Sequence, residues 1–300
     1  MIAKIIECIP NFSEAKRTSV IEEIYQSIRQ VPGISVLDKH SDMDHNRTVI
    51  TFVGNPDAVE QAAYAAIETS ARLIDLNMHR GAHPRIGATD VVPFVPISGV
   101  TMNDCVELSK ALGKRVGEQL NIPVYLYEES AQRPDRKYLE NIRRGQYEGL
   151  KEKIINDPSQ MPDYGPALLG PAGATVIGAR FPLIAYNVYL STDNIEIAKN
   201  IALAIRHSSG GLHYLKAMGV IVNGKAQVSM NFTNYEKTPI ARVFELIRSE
   251  ASKFGVCVVS SELVGMIPQK ALIDAAKWYL QLHHLKDEQI LEYGICNKMM

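Results

Sequence analysis

Two imidazoles and two guanidinium groups crowd into seven residues, His79-Arg80-Gly81-Ala82-His83-Pro84-Arg85. That composition suits proton transfer beside bound anions, and a loop punctuated by Gly and Pro is where such groups are displayed. Pro84 disfavours the α region for His83 and holds it extended. Arg80 and Arg85 set positive charge near the ring, which disfavours the imidazolium form. A metal site at His79 and His83 would want both on one helical face. Gly81 and Pro84 oppose that helix, and no HExxH glutamate is present. The competing reading is a solvated loop without chemistry.

A second cluster is His40-Ser41-Asp42-Met43-Asp44-His45-Asn46-Arg47. His40, Asp42, Asp44 and His45 are metal-ligating types, but the Gly and Glu of a calcium loop are missing. A polar hairpin connection is the preferred reading. Arg47, at a strand entrance, is suited to two-pronged pairing with a carboxylate. The third candidate is the Gly- and Pro-rich run from Asp163 to Gly178. It is not GxGxxG and lacks the Walker lysine. It reads either as a linker or as a close-fitting backbone platform for a flat ligand.

These groups must be held by a folded scaffold, and the chain has the material for one. Of 300 residues, 46% are apolar and 22% charged, which is enough for a large core and points to two domains. Formal net charge is −1, from 32 basic and 33 acidic residues, so no strong field favours nucleic acid or anionic lipid. No apolar run approaches the ~20 residues that span a bilayer. The opening MIAKIIECIPNFSE carries Lys4 and Glu7 within its apolar stretch, so no signal-peptide core is expected there. Cys8, Cys105, Cys257 and Cys296 are scattered with no CxxC pair, as in reduced cytoplasmic thiols. A cytoplasmic protein is expected, with no nucleic-acid or membrane partner.

Apolar spacing predicts strand 2–9, a helix around Val20–Val31, strands 35–38 and 47–53, and a helix from Asn55 to about Asp75. A strand at 91–97 follows, which its prolines place near an edge or break early. Next come a helix at 103–120, a strand at 124–127 and a charged, exposed helix over 136–156. Residues 157–179 read as a boundary or ligand loop. The order then repeats, with strand 183–190, helix 195–206, a hairpin through Asn223-Gly224, helix 240–254, strand 256–260 and helix 270–282. The expected fold class is α/β (α+β). It has two ferredoxin-like βαββαβ subdomains, 1–179 and 180–300, each a sheet with helices on one face, and a ligand cleft between them.

Longer runs add a resemblance. ECIPNFSE (7–14), NRTVITFVG (46–54), GAHPRIGATDVVPFVPI (81–97), PVYLYEESA (123–131), PDYGP (162–166), GATVIGAR (173–180) and SELVGMIPQKALIDAA (261–276) resemble the glutamate formiminotransferase family. The cyclodeaminase part fused to it in animals is absent. The resemblance implies a homodimer that transfers the formimino group of N-formimino-glutamate to N5 of tetrahydrofolate, with tetrahydrofolate as co-substrate and no metal. Such a reaction belongs to histidine degradation and one-carbon metabolism. The family motif GEHPRMGA reads GAHPRIGA here, so His83 takes the catalytic role and Ala82 replaces a Glu. Folate binding falls on Gly165, Pro166, Ala167, Leu168, Leu169, Gly170, Pro171, Ala172 and Gly173, without the Trp that ends this stretch in the animal enzymes. His40 aligns with an Asp proposed to assist in the animal enzyme, and Asp42 lies close by. Arg47, Arg85 and Arg180 are candidate clamps for substrate carboxylates. Formyl transfer between 5-formyltetrahydrofolate and glutamate is the alternative within the family. A non-catalytic folate-binding or interaction protein is the alternative outside it.

Overall fold

Buried and half-exposed residues alternate along Ile5–Cys8 (β1), and Pro10 interrupts the strand before Asn11–Phe12 (β2). The computed structural model describes residues 3–294, which fall into two compact units, one ending at Phe181 and the other beginning at Pro182. Ile2 and Cys296 lie outside the described residues. In the first unit β2 leads to Thr18–Arg29 (α1), Ser35–Asp42 (β3), Arg47–Gly54 (β4), Pro56–Leu73 (α2) and Thr89–Ser98 (β5). Met102–Gln119 (α3), Val124–Glu128 (β6), Leu139–Ile142 (α4), Gln146–Asn156 (α5) and Thr175–Ala179 (β7) complete it.

The helices form for local reasons. Val20, Ile21, Ile24 and Ile28 make one buried stripe on α1. Asn55 caps α2, accepting from the Ala58 N–H, and Pro56 fills the first turn. Thr101 and Asp104 close a capping box on α3. Their apolar faces enclose a core with Ile6, Cys8, Phe12, Ile50, Phe52, Val92 and Phe94 of the sheet. Each such large side chain contributes roughly 1.5–3 kcal/mol by leaving water.

Across the first sheet the strands run β3-β4-β1-β5-β7-β6, with β2 inserted between β4 and β5 beyond the Pro10 break. The first four follow the ferredoxin-like order. β7 and β6 extend them in parallel from the far edge of β5. This corrects two expectations. β5 is a central strand, because Pro93 falls opposite the Ile9-Pro10 break and its carbonyl accepts the Ile9 N–H at 3.3 Å. Thr175–Ala179 is a fully buried strand, not part of a loop.

The second unit contains Ile184–Leu190 (β8), Ile195–Ile205 (α6), Leu215–Val222 (β9), Lys225–Phe232 (β10), Ile240–Ser252 (α7), Val258–Val264 (β11) and Gln269–Tyr279 (α8). Its antiparallel sheet runs β11-β8-β10-β9, the ferredoxin-like order again. Two α/β units of related topology are therefore present, the first enlarged by two strands.

The charged segment 136–156 is not one exposed helix. It breaks between α4 and α5, with Gly145 and Gln146 both at positive φ, 92° and 56°. Tyr147, Leu150 and Ile154 of α5 are buried. The break leaves Arg143 at the end of α4, and the site uses it.

Candidate active site

His83 lies on the loop between α2 and β5. The loop is seated on the β3–β4 turn: the Ala82 N–H donates to the Asp44 carbonyl at 3.2 Å, and Asn46 Nδ2 donates to the Arg80 carbonyl at 2.9 Å. Asn46, buried and at φ 50°, also accepts the Ala15 N–H on its side-chain oxygen at 2.8 Å. Gly81 permits the seating, since a Cβ there would stand 2.4 Å from the His45 carbonyl oxygen. We expect Gly81→Ala to lift the loop and lower kcat by about 10²-fold with unchanged circular dichroism. Full activity in that variant would show that the seating is dispensable.

His79 and Arg85 hold the loop from beneath. His79 Nε2 donates to the Asn46 carbonyl at 3.1 Å, so Nδ1 is bare and accepts from Arg85 Nε at 3.1 Å. Both nitrogens are thus engaged, and burial holds the ring's pKa below its ordinary value. This removes His79 as a metal ligand. Arg85 also donates Nη1 to Gln146 at 3.1 Å and pairs both Nη atoms with Glu148 at 2.9 and 2.7 Å. Its hydrogen bonds hold the Glu148 carboxyl down at about 2. The fork of Arg85, a candidate clamp for a substrate carboxylate, is occupied in this structure, because α5 brings a carboxylate to it.

His83 is half-buried, and four charged or titratable groups surround it. Burial, then Arg143 and Arg47, then His45, push its pKa down to about 3, and Asp42 opposes them. The positive charges acting on the ring are Arg143 and Arg47 rather than its chain neighbours Arg80 and Arg85. Arg80 turns its Nη1 back onto the His79 carbonyl at 2.8 Å. Arg143 was missed in the sequence. It is ion-paired with the buried Asp90 of β5, whose other oxygen accepts the Ile86 N–H at 2.7 Å. The Nε atoms of both Arg47 and Arg143 are buried without a hydrogen-bond partner. Burial and the neighbouring Arg143 also lower the pKa of Arg47. Two guanidinium groups with spare donors are chemically suited to anions.

Asp42 and His45 stand at the end of the β3–β4 hairpin, where Asp42 pairs with Arg47 in the register. Partial burial works against Asp42, yet hydrogen bonds from the His45 backbone and ring hold its carboxyl below its usual range. His40 lies on β3 opposite Val49 and is exposed. The segment is a hairpin connection, as read from the sequence: His40 to Asp42 end β3, residues 43–46 make the turn, and Arg47 opens β4. Arg180, after β7, donates to the Phe181 carbonyl at 2.9 Å and lies beside Glu7 and Tyr127. Tyr127 is within electrostatic reach of both Arg180 and Arg143.

The Gly165–Gly173 loop is stitched to the histidine loop. The Leu76 N–H donates to Pro171 and the Ala88 N–H to Ala172, both at 2.8 Å, and the Ala174 N–H to Ile86 at 2.9 Å. Gly173, at φ 72°, would bring a Cβ to 2.2 Å from the Ile86 oxygen, so this glycine serves the junction itself. A Cβ at Gly170 would meet nothing within 4 Å, and Leu168, two residues before it, is exposed. That end of the loop offers an open backbone and apolar surface.

A family model described as the formiminotransferase domain, N-terminal subdomain, matches residues 5–180, and the formiminotransferase domain model matches residues 185–296. The chain is 51% identical to a glutamate formimidoyltransferase of Thermoplasma acidophilum, over 96% of each chain. It is 48% identical to one of Streptococcus pyogenes, over 97% of this chain and 98% of that one. Against the formimidoyltransferase-cyclodeaminase of Rattus norvegicus identity is 45%, over 93% of this chain and 53% of that protein. Matched by both domain models in order and by relatives along nearly its whole length, the chain belongs to the formiminotransferase family.

Proposed function

We infer that the chain is a glutamate formimidoyltransferase, moving the formimino group of N-formimino-L-glutamate to N5 of tetrahydrofolate and releasing L-glutamate. The carrying observation is the half-buried His83 imidazole beside Arg47 and Arg143, two guanidinium groups whose buried Nε–H donors have no partner. The donor's glutamate presents two carboxylates, and Arg47 and Arg143 match them. The attacking nitrogen adds to the amidine carbon and must shed a proton. His83, neutral at working pH, accepts it. In the empty site it is a weak base. Carboxylates arriving at Arg47 and Arg143 cancel the charge that suppresses protonation, so donor binding raises its basicity. Asp90 keeps Arg143 in place.

Tetrahydrofolate is assigned to the Gly165–Gly173 loop, its ring against the open stretch at Leu168 and Gly170. Gly170→Leu is expected to weaken tetrahydrofolate binding about tenfold or more, the loss of roughly 1.4 kcal/mol of contact, with the fold intact. Unchanged affinity would remove the loop from the site. The proposed setting is the cytoplasm, as a homodimer, with tetrahydrofolate as co-substrate, and without nucleic acid or membrane as partner. Glutamate release from formiminoglutamate, dependent on tetrahydrofolate and compared with release from N-formylglutamate, tests the reading. No release from formiminoglutamate would sink it.

A further inference from the structure

Formimino transfer needs two proton movements on neighbouring nitrogens. The attacking nitrogen loses a proton after bonding to the amidine carbon, and the departing glutamate nitrogen gains one before it leaves. His83 faces a second imidazole. The rings of His45 and His83 stand 6.3 Å apart between centroids, inclined at 70°. A centroid spacing of 6.3 Å leaves room for one substrate nitrogen or one water between the rings.

His45 has a fixed tautomer. Its Nδ1 lies 2.7 Å from Asp42 Oδ2. An ionised carboxylate only accepts, so Nδ1 carries hydrogen and Nε2 is the exchanging nitrogen. The other Asp42 oxygen accepts the His45 backbone N–H at 2.9 Å, which locks the pair within its turn. That turn carries the His83 loop through Asp44 and Asn46. The segments that carry the two imidazoles are therefore joined to each other by these bonds. The environments differ. His83 is half-buried beside Arg47 and Arg143, whereas the His45 side chain is 49% exposed and bound to a carboxylate. An isolated surface Asp–His pair contributes little to stability. This one gains meaning from the second ring and the buried arginines beside it.

We propose that His45, held at Nδ1 by Asp42, is a second proton-transfer residue, giving the departing glutamate nitrogen the proton it must gain while His83 takes the proton the attacking nitrogen must lose. The inference rests on the formimidoyltransferase reading. The tetrahydrofolate nitrogen bonds to the amidinium carbon, and the π pair moves onto the amidine nitrogen. His83 removes the proton from the new ammonium. His45, entering the step with hydrogen on both ring nitrogens, gives its Nε2 proton to the glutamate nitrogen and keeps the one on Nδ1, and that C–N bond breaks as the remaining nitrogen's lone pair restores C=N. His83 then returns its proton to His45, directly or through one water. Atoms and charge balance with no further reactant. The half-exposed ring also lets His45 exchange with solvent between turnovers.

The test uses the full chain with formiminoglutamate and tetrahydrofolate. His45→Gln and His45→Gly are expected to lower kcat by about 10²-fold, with KM for both substrates little changed. Imidazole added to His45→Gly should restore turnover through the exposed opening. A series of substituted imidazoles should rescue in proportion to their acidity, as a general acid would. Asp42→Asn, which frees the tautomer, should lose activity and flatten the alkaline limb of the kcat profile. Wild-type kcat in either His45 variant would overturn the proposal. So would loss without rescue, or rescue independent of imidazole acidity, since both assign His45 to holding the loop. If the wild type itself releases no glutamate, the functional reading fails instead.

Discussion

Replacing His83 by alanine is expected to lower kcat by about 10²–10⁴-fold, while tetrahydrofolate affinity stays nearly constant. The separation follows from what the side chain touches. The loop is anchored by Ala82, Arg85 and the backbone of Arg80, not by the His83 ring. Its removal therefore deletes proton transfer and leaves the scaffold standing. An interaction that matters only in the transition state appears in kcat rather than in binding. His79→Ala should differ in kind. It strips a buried partner from Arg85 and from the Asn46 carbonyl, so it lowers the melting temperature and costs far less in kcat. Steady-state kinetics of both variants beside direct folate titration decides this. Equal kcat losses would make His83 part of the framework only.

Arg143→Met should raise the KM for formiminoglutamate by about ten- to a hundredfold, the loss of one charge-assisted carboxylate contact of roughly 1.5–3 kcal/mol. The same change removes positive charge beside His83, which then binds a proton more readily. The sign is definite. His83 acts as a base only when neutral, so activity falls on the acid side of its pKa. Raising that pKa moves the acid limb of kcat/KM to higher pH. In the wild type the acid limb of kcat/KM reports the free enzyme, and that of kcat reports the complex. The kcat limb should therefore lie at the higher pH. Asp90 keeps its bond from Ile86 when Arg143 is gone but loses its ion pair, so Arg143→Met should also be less stable. Arg143→Lys keeps the charge and the Asp90 partner, separating stability from clamping. A Met variant with unchanged KM and pH profile would place the carboxylate elsewhere.

Much of this was legible in the residues. Apolar periodicity carried both βαββαβ orders, because each helix and each antiparallel strand buries one face. It failed at β7, whose five buried residues read as a short apolar run among glycines and prolines, a pattern shared with loops. It failed at β5, where prolines argued for an edge. The strand tolerates Pro93 because its neighbour is itself broken at Pro10. The His83 loop stood out by composition alone. Arg143 could not, since nothing local distinguishes it from Arg144 or Lys137, and only the break before α5 and the buried Asp90 single it out. Arg85 shows the converse. Its place beside His83 suggested a substrate clamp, yet a carboxylate 63 residues away in sequence occupies it. Adjacency along the chain reported little about which guanidinium faces which ring.

The central claim is an imidazole kept unprotonated by two guanidinium groups whose charge the donor cancels. Nuclear magnetic resonance titration of the His83 ring, in the free protein and saturated with L-glutamate, tests it most directly. The account predicts a neutral ring in the free protein down to the region of pH 3, and a midpoint displaced upward once glutamate occupies Arg47 and Arg143. A midpoint near the ordinary histidine value of about 6.5 in both states would contradict it.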